Sequence, residues 1–221
     1  MIVKICGLRT ADAAQAAAAA HADLLGFNFA HVSRRHVAVS AAREAIEGCR
    51  ALHRSQPPRM VGIFVNQPVV EVSRVARELA LDLIQRSGDE GADHCRAAGG
   101  ATGLPVIKAL RLGTEASPTE ADELVRDAGV SILLADAPVS GSYGGSGQAW
   151  RWQDASELAG RYDVLLAGGL TPENVGEAAA AVHPWGVDVA SGVETNGQTD
   201  PEKVRAFITR VRAYEHSHIA N

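Results

Sequence analysis

Leu165-Leu166-Ala167-Gly168-Gly169-Leu170-Thr171-Pro172-Glu173-Asn174 reads as a short apolar strand that stops at two glycines and restarts as a helix. Thr171 offers a capping oxygen ahead of Pro172, whose fixed φ suits the first helical turn. Asp200 before Pro201 repeats the device near the other end of the chain. Strand, small-residue loop, capped helix is thus the local unit, and the fold turns on how often it recurs.

It recurs throughout. Apolar, β-branched runs at Ile2–Ile5, Leu24–Phe29, Met60–Val65, Leu83–Gln85, Val106–Leu110, Ile132–Ala135, Val164–Leu166 and Val187–Val189 predict strands. Between them, amphipathic and often alanine-rich stretches predict helices near Thr10–Ala22, Ser40–Leu52, Val69–Ala80, Ala92–Ala98, Thr119–Ala128, Gln153–Ala159, Pro172–Ala181 and Pro201–Ala213. An open, doubly wound sheet usually has fewer units, so the alternation fits an α/β protein with a single (β/α)8 TIM barrel. The barrel is expected over residues 1–215, with the polar stretch 216–221 as a frayed tail to which its two histidines give no metal site.

Composition narrows the function classes. The 221 residues are 46% hydrophobic and 21% charged, enough for one substantial core. A formal net charge of -5 gives no electrostatic basis for a nucleic-acid or anionic-membrane partner. No apolar run approaches the roughly 18 residues of a membrane helix, and the start of the chain lacks a basic-then-apolar leader, so a cytoplasmic protein is expected. The 3 cysteines, Cys6, Cys49 and Cys95, are odd in number and lack metal-type spacing, which fits a reducing compartment and no metal.

Barrel enzymes carry their reacting groups where the strands end. Those positions hold Cys6, Arg34 and Arg35, Asn66, Arg86, Arg111, Asp136, Gly168-Gly169 and Ser191-Gly192. Cys6 is either a small buried apolar residue or a base. It shares a strand face with Lys4, and a nearby cation favours the thiolate that accepts a proton. Asp136 is either an exposed turn carboxylate or an acid facing the barrel mouth, and a thiolate and a carboxylic acid across one pocket can move protons without a cofactor. Asp188 is read as a structural partner for a lysine, and Lys4 and Lys108, set in apolar strands, require a carboxylate or a function.

Glycines at 168 and 169 let backbone N–H groups approach an anion, and Ala190-Ser191-Gly192-Val193-Glu194 supplies a second small-residue loop. Phosphate sites in barrels are often built from the loops after strands seven and eight, so a small phosphorylated substrate is expected. The stretch Gly141-Ser142-Tyr143-Gly144-Gly145-Ser146-Gly147 reads as a mobile loop on the catalytic side, with Gly144 and Gly145 as candidate substrate contacts.

Lys4-Ile5-Cys6-Gly7, Val61-Gly62-Ile63-Phe64-Val65-Asn66, Gly88-Asp89-Glu90, Val106-Ile107-Lys108-Ala109, Tyr143-Gly144-Gly145-Ser146-Gly147, Ala167-Gly168-Gly169-Leu170 and Gly186-Val187-Asp188-Val189-Ala190-Ser191-Gly192-Val193-Glu194 together resemble the phosphoribosylanthranilate isomerase family of tryptophan biosynthesis. The resemblance implies a cofactor-free Amadori rearrangement of N-(5-phosphoribosyl)anthranilate to 1-(2-carboxyphenylamino)-1-deoxyribulose 5-phosphate. It implies Asp136 as the general acid on the ring oxygen and Cys6 as the base at C2. It also implies Arg35 as the residue that holds the anthranilate carboxylate. Either a monomer or a homodimer is expected.

Two places depart from the family pattern. Arg34 stands where the family often has proline, and Gln85-Arg86-Ser87-Gly88 replaces the usual Gln-Leu-His-Gly. The rival readings are a barrel that binds a phosphorylated metabolite without chemistry, and a related sugar-phosphate isomerase with a shifted substrate. The histidine-pathway isomerase, one such relative, carries an aspartate where Cys6 stands.

Overall fold

A computed structural model describes residues 1–52, 57–111, 118–136 and 154–219. Eight parallel strands close into a barrel in sequence order. They are β1 (Ile2–Cys6), β2 (Leu24–Asn28), β3 (Arg59–Phe64), β4 (Leu83–Arg86), β5 (Val106–Arg111), β6 (Ile132–Asp136), β7 (Val164–Ala167) and β8 (Gly186–Val189). The seam between first and last strands pairs Ile2 with Gly186 and Lys4 with Asp188. A Cβ on Gly186 would sit 2.6 Å from the Ile2 carbonyl oxygen, so the seam closes only around a glycine.

Alternation divides each strand. Leu24, Val61, Leu83, Ile107, Ile132, Leu134, Leu165 and Ala167 fill the inside of the barrel. Val3, Ile5, Leu25, Phe27, Ile84, Val106, Leu133 and Val187 face the helices. The surrounding helices are α1 (Ala11–Ala19), α2 (Val39–Leu52), α3 (Val69–Glu78), α4 (Ala92–Thr102), α5 (Pro118–Asp122), α6 (154–159), α7 (Val175–Val182) and α8 (Pro201–Ile219). Ala13, Ala14, Ala17 and Ala18 form the buried stripe of α1, whose small side chains bring the helix close to the strands. Among the described residues, no helix is long and apolar enough to cross a membrane.

The helix starts divide. Asp200 caps α8, its Oδ1 accepting from the Glu202 N–H at 2.9 Å, with Pro201 as the first helical residue. The Thr171-Pro172 boundary comes out differently. Residues 172–174 form a turn, α7 opens at Val175, and Thr171 Oγ1 accepts instead from the Glu173 N–H. The stretch predicted as one helix over Thr119–Ala128 is a short α5 followed by a π-helical turn, Glu123–Asp127. At the far end α8 runs on to Ile219, past the boundary at 215 read from the sequence.

The face opposite the strand C-termini is stitched by one device used twice. Asp23, just ahead of β2, accepts the Val3 N–H of β1 at 2.7 Å, and Asp82, just ahead of β4, accepts the Met60 N–H of β3 at 2.7 Å. Arg212 of α8 then donates to Asp23 at 2.8 Å and to the Met1 carbonyl at 2.6 Å, tying the last helix to the first strand.

Candidate active site

At the C-terminal ends of the strands lies a cavity of about 680 Å³, and Arg35, Asp136, Gly168, Gly169 and Ser191 all line it. Ser87, Arg111 and Asp188 join them. Cys6 and Gly192 are not among the residues that line it. Cys6 closes β1 on the interior face, above Lys4, and Gly192 packs against the loop after β7. Gly144 and Gly145 lie outside the described residues.

Cys6 sits in a polar pocket made by three strands. Lys4 Nζ donates to Asp188 Oδ1 at 2.8 Å, and both side chains are buried, which fulfils the lysine partner expected of Asp188. Gly26 of β2 makes the room, since a Cβ there would lie 3.2 Å from Lys4 Nζ and 3.2 Å from Cys6 Cα. The expectation that a cation favours the thiolate holds in part. Burial pushes the thiol up and the Asp188 charge adds to it, while Lys4 and Arg35 pull it down; the net position is above the ordinary value. The lysine is held above its own ordinary value: burial lowers it, but Asp188 and Cys6 outweigh that.

Asp136 is the last residue of β6, and its register partner on β5 is Arg111. Burial raises its carboxyl above the usual carboxylate value, the Asp188 charge raises it further, and Arg111 opposes both. A carboxyl so placed keeps its proton to higher pH, as a proton donor requires.

The loops after β7 and β8 meet at close quarters. Gly168 and Gly169 have φ of 89° and 61°, which favour glycine. Asn174 clamps the turn, its Nδ2 donating to the Gly169 carbonyl at 3.0 Å and its Oδ1 accepting from the Thr171 N–H at 2.7 Å. A Cβ on Gly192 would lie 1.8 Å from the Leu170 carbonyl oxygen, so the two loops touch only because that side chain is missing.

Arg35 reaches the rim by lying along Gly7, where a Cβ would meet its Cδ at 2.3 Å. Ser33 Oγ accepts from the Arg35 N–H and from Asn28 Nδ2, both at 3.1 Å, and so fixes the loop. The guanidinium is tied to Glu194, Nε to Oε1 at 2.5 Å and Nη2 to Oε2 at 3.0 Å. Arg34 is 70% exposed and comes no nearer than 3.7 Å to that carboxylate, so of the two arginines it is Arg35 that the structure places in the cavity wall.

Loop four is resolved by the pleat. Gln85 faces the interior and donates to Ser87 Oγ at 3.0 Å, whereas Arg86 points to the helices and is fully buried. Arg86 Nη2 donates to the Gln67 carbonyl at 2.9 Å and lies 3.1 Å from Glu90 Oε1; its Nε and Nη1 have no partner among the described residues. Glu90 Oε2 takes Lys108 at 3.1 Å, and the same carboxylate accepts the Asn66 and Gly88 N–H groups at 2.7 and 2.8 Å. Lys108 thus has the carboxylate it needs, and Arg86, at the end of its strand, stands outside the cavity.

Sequence reasoning missed the roles of Glu90 and Glu194. The i,i+4 spacing of Arg86 and Glu90 could have pointed to the first. Glu194 is 159 residues from Arg35, and no local pattern connects them.

The comparisons with known proteins converge. The family model described as N-(5'phosphoribosyl)anthranilate (PRA) isomerase matches residues 3–210. An N-(5'-phosphoribosyl)anthranilate isomerase of Roseiflexus castenholzii is 46% identical over 215 residues, 96% of this chain and 99% of that one. The crystal structure of phosphoribosyl anthranilate isomerase from Thermus thermophilus superposes with a TM-score of 0.79 at 38% identity, covering 96% of this chain and 99% of that one. Another phosphoribosyl anthranilate isomerase, solved in complex with reduced 1-(o-carboxyphenylamino)-1-deoxyribulose 5-phosphate, gives 0.77 at 27% identity over 96% and 100% of the two chains.

Proposed function

The chain belongs to the N-(5'-phosphoribosyl)anthranilate isomerase family, and from that premise we propose that it converts N-(5-phosphoribosyl)anthranilate to 1-(2-carboxyphenylamino)-1-deoxyribulose 5-phosphate. The observation that carries the reading is one cavity wall shared by Asp136, Arg35 and the two glycine loops, with the charges of Asp188 and Arg35, both in that wall, acting on Cys6.

Each group has a role that its surroundings support. The glycine loops after β7 and β8 take the phosphate on backbone N–H groups. Arg35 takes the aryl carboxylate, for which a planar guanidinium is the matching donor. Asp136, its carboxyl raised above the usual carboxylate value by burial and by Asp188, gives its proton to the furanose ring oxygen, and the C1–O bond breaks to leave a protonated Schiff base. Cys6, as thiolate, removes the C2 proton to form an enol-amine. Return of a proton at C1 and loss of the enol proton give the ketone. C1 is reduced and C2 oxidised, with no net change in composition, so the enzyme is an aldose–ketose type intramolecular oxidoreductase.

The test is turnover of freshly generated phosphoribosylanthranilate, followed by loss of anthranilate-type fluorescence, with Cys6→Ala as the control. Turnover that vanishes in the control supports the reaction and its base together. Folded protein that leaves the substrate unchanged overturns the reading.

A further inference from the structure

We propose that Glu194 is a positioning residue that sets the orientation of Arg35 for the substrate carboxylate, an inference that rests on the reaction assigned above. A guanidinium offers two forked edges, one of Nε and Nη2 and the other of Nη1 and Nη2. Glu194 occupies the first edge with both of its oxygens, at 2.5 and 3.0 Å. Among the described residues nothing accepts from Nη1, so the second fork is the one left for a ligand.

Three features make this a mounting and not an incidental surface pair. Glu194 is 8% exposed and Arg35 20% exposed, well below the exposure of the pairs on the helix surfaces. The arginine's stem is seated on Gly7, the residue after Cys6, so turning the guanidinium by one edge would require lifting it off that seat. The carboxylate stays ionised through the ordinary range, because the Arg35 hydrogen bonds hold it below its usual value against burial, with Arg34 and Arg9 adding to the effect.

Glu194 directly follows the turn Ser191–Val193 of the loop after β8. A short hairpin, Glu194–Thr195 with Gln198–Thr199, anchors it from the other side, turning through Asn196 and Gly197 at φ of 52° and 73°. Lys203 of α8 donates to the Glu194 carbonyl at 2.8 Å. The segment proposed to hold the phosphate therefore also carries the brace for the carboxylate-binding arginine, so both ends of the substrate are referred to one rigid piece of chain.

The test is a ligand-difference experiment. Affinities of reduced 1-(o-carboxyphenylamino)-1-deoxyribulose 5-phosphate and of the same compound without its ring carboxylate are measured by calorimetry on the wild type, Glu194→Gln and Glu194→Asp. In the wild type, loss of the ligand carboxylate weakens binding about 10–100-fold. In both variants that ratio falls to about threefold or less while the carboxylate-free ligand binds as before, since the Gln amide opposes one arginine N–H and the shorter Asp cannot reach both. Equal weakening of the two ligands, or an unchanged ratio, overturns the proposal, and the two variants guard against one failing to fold. Wild type that shows the ratio but no turnover would leave the mounting intact and remove the assigned reaction.

Discussion

Lys4 and Asp188 face each other as register partners across the seam of the barrel, Nζ to Oδ1 at 2.8 Å, with Cys6 on the same strand face one pleat above. The pair neutralises itself beneath the thiol, yet its two charges act on that thiol in opposite senses.

Removing the cation tests this balance. In Lys4→Met the Asp188 charge is left buried without a partner, at a cost of about 3–5 kcal/mol in chemical denaturation. The thiol rises further at the same time. Each additional pKa unit on Cys6 lowers the thiolate fraction below its pKa about tenfold, and kcat/KM follows it in whatever variant remains folded.

The pH profile of the wild type carries the signature of the pair. The working form has Cys6 ionised and Asp136 protonated. With the carboxyl titrating before the thiol, that form grows until Asp136 titrates, stays level, and falls once Cys6 has titrated. The acid break in kcat/KM is expected above the ordinary 3.8 of an aspartate and the alkaline break above the ordinary 9.0 of a cysteine. A break at an unshifted carboxylate value would show that Asp136 is solvated in the working enzyme.

Deleting either group removes proton transfer without touching the core. Cys6→Ala and Asp136→Asn should each lose about 10²–10⁴-fold in kcat while keeping the wild-type circular dichroism. Retained turnover in either variant overturns its role.

Glu90 gives the fold an acid-sensitive point. Burial raises its carboxyl, but the Asn66 N–H, Arg86 and Lys108 outweigh it and hold it below the ordinary 4.5. A depressed carboxyl contributes stability above its unfolded value and loses it as pH falls through the folded value. Glu90→Gln should therefore cost about 3–5 kcal/mol near neutrality, and the gap from wild type in urea midpoints should close as pH drops below 4.5. A gap independent of pH would mean that the charge is not what Glu90 contributes.

Arg86→Leu, which restores the residue usual in the family, should change kcat/KM by no more than about threefold and stability by no more than about 2 kcal/mol. Arg86 faces the helices and two of its nitrogens are unpartnered among the described residues, while Glu90 keeps Lys108. A large loss of activity would show that loop four reaches the chemistry through it.

The barrel was legible because apolar, β-branched runs alternating with amphipathic stretches follow from local chain chemistry, and each strand run lies within two residues of the element observed. Asp188 as a lysine partner was legible for the same reason: a charge on an inward face needs a counter-charge. The π-turn at Glu123–Asp127 and the late start of α7 were not, since each depends on how a helix end packs. The Arg35–Glu194 fork was invisible because it joins residues with no shared periodicity, brought together only by closure.

The paired aspartates Asp23 and Asp82, together with Arg212, hold strands and last helix together at the end of the barrel remote from Asp136 and the glycine loops. The molecule is thus divided into a fastened base and a rim that carries the site. Of the departures from the family pattern named above, Arg34 and Ser87 belong to the rim, whereas Arg86 lies buried against the helices. Substitutions at those two rim positions leave the ties at the base untouched.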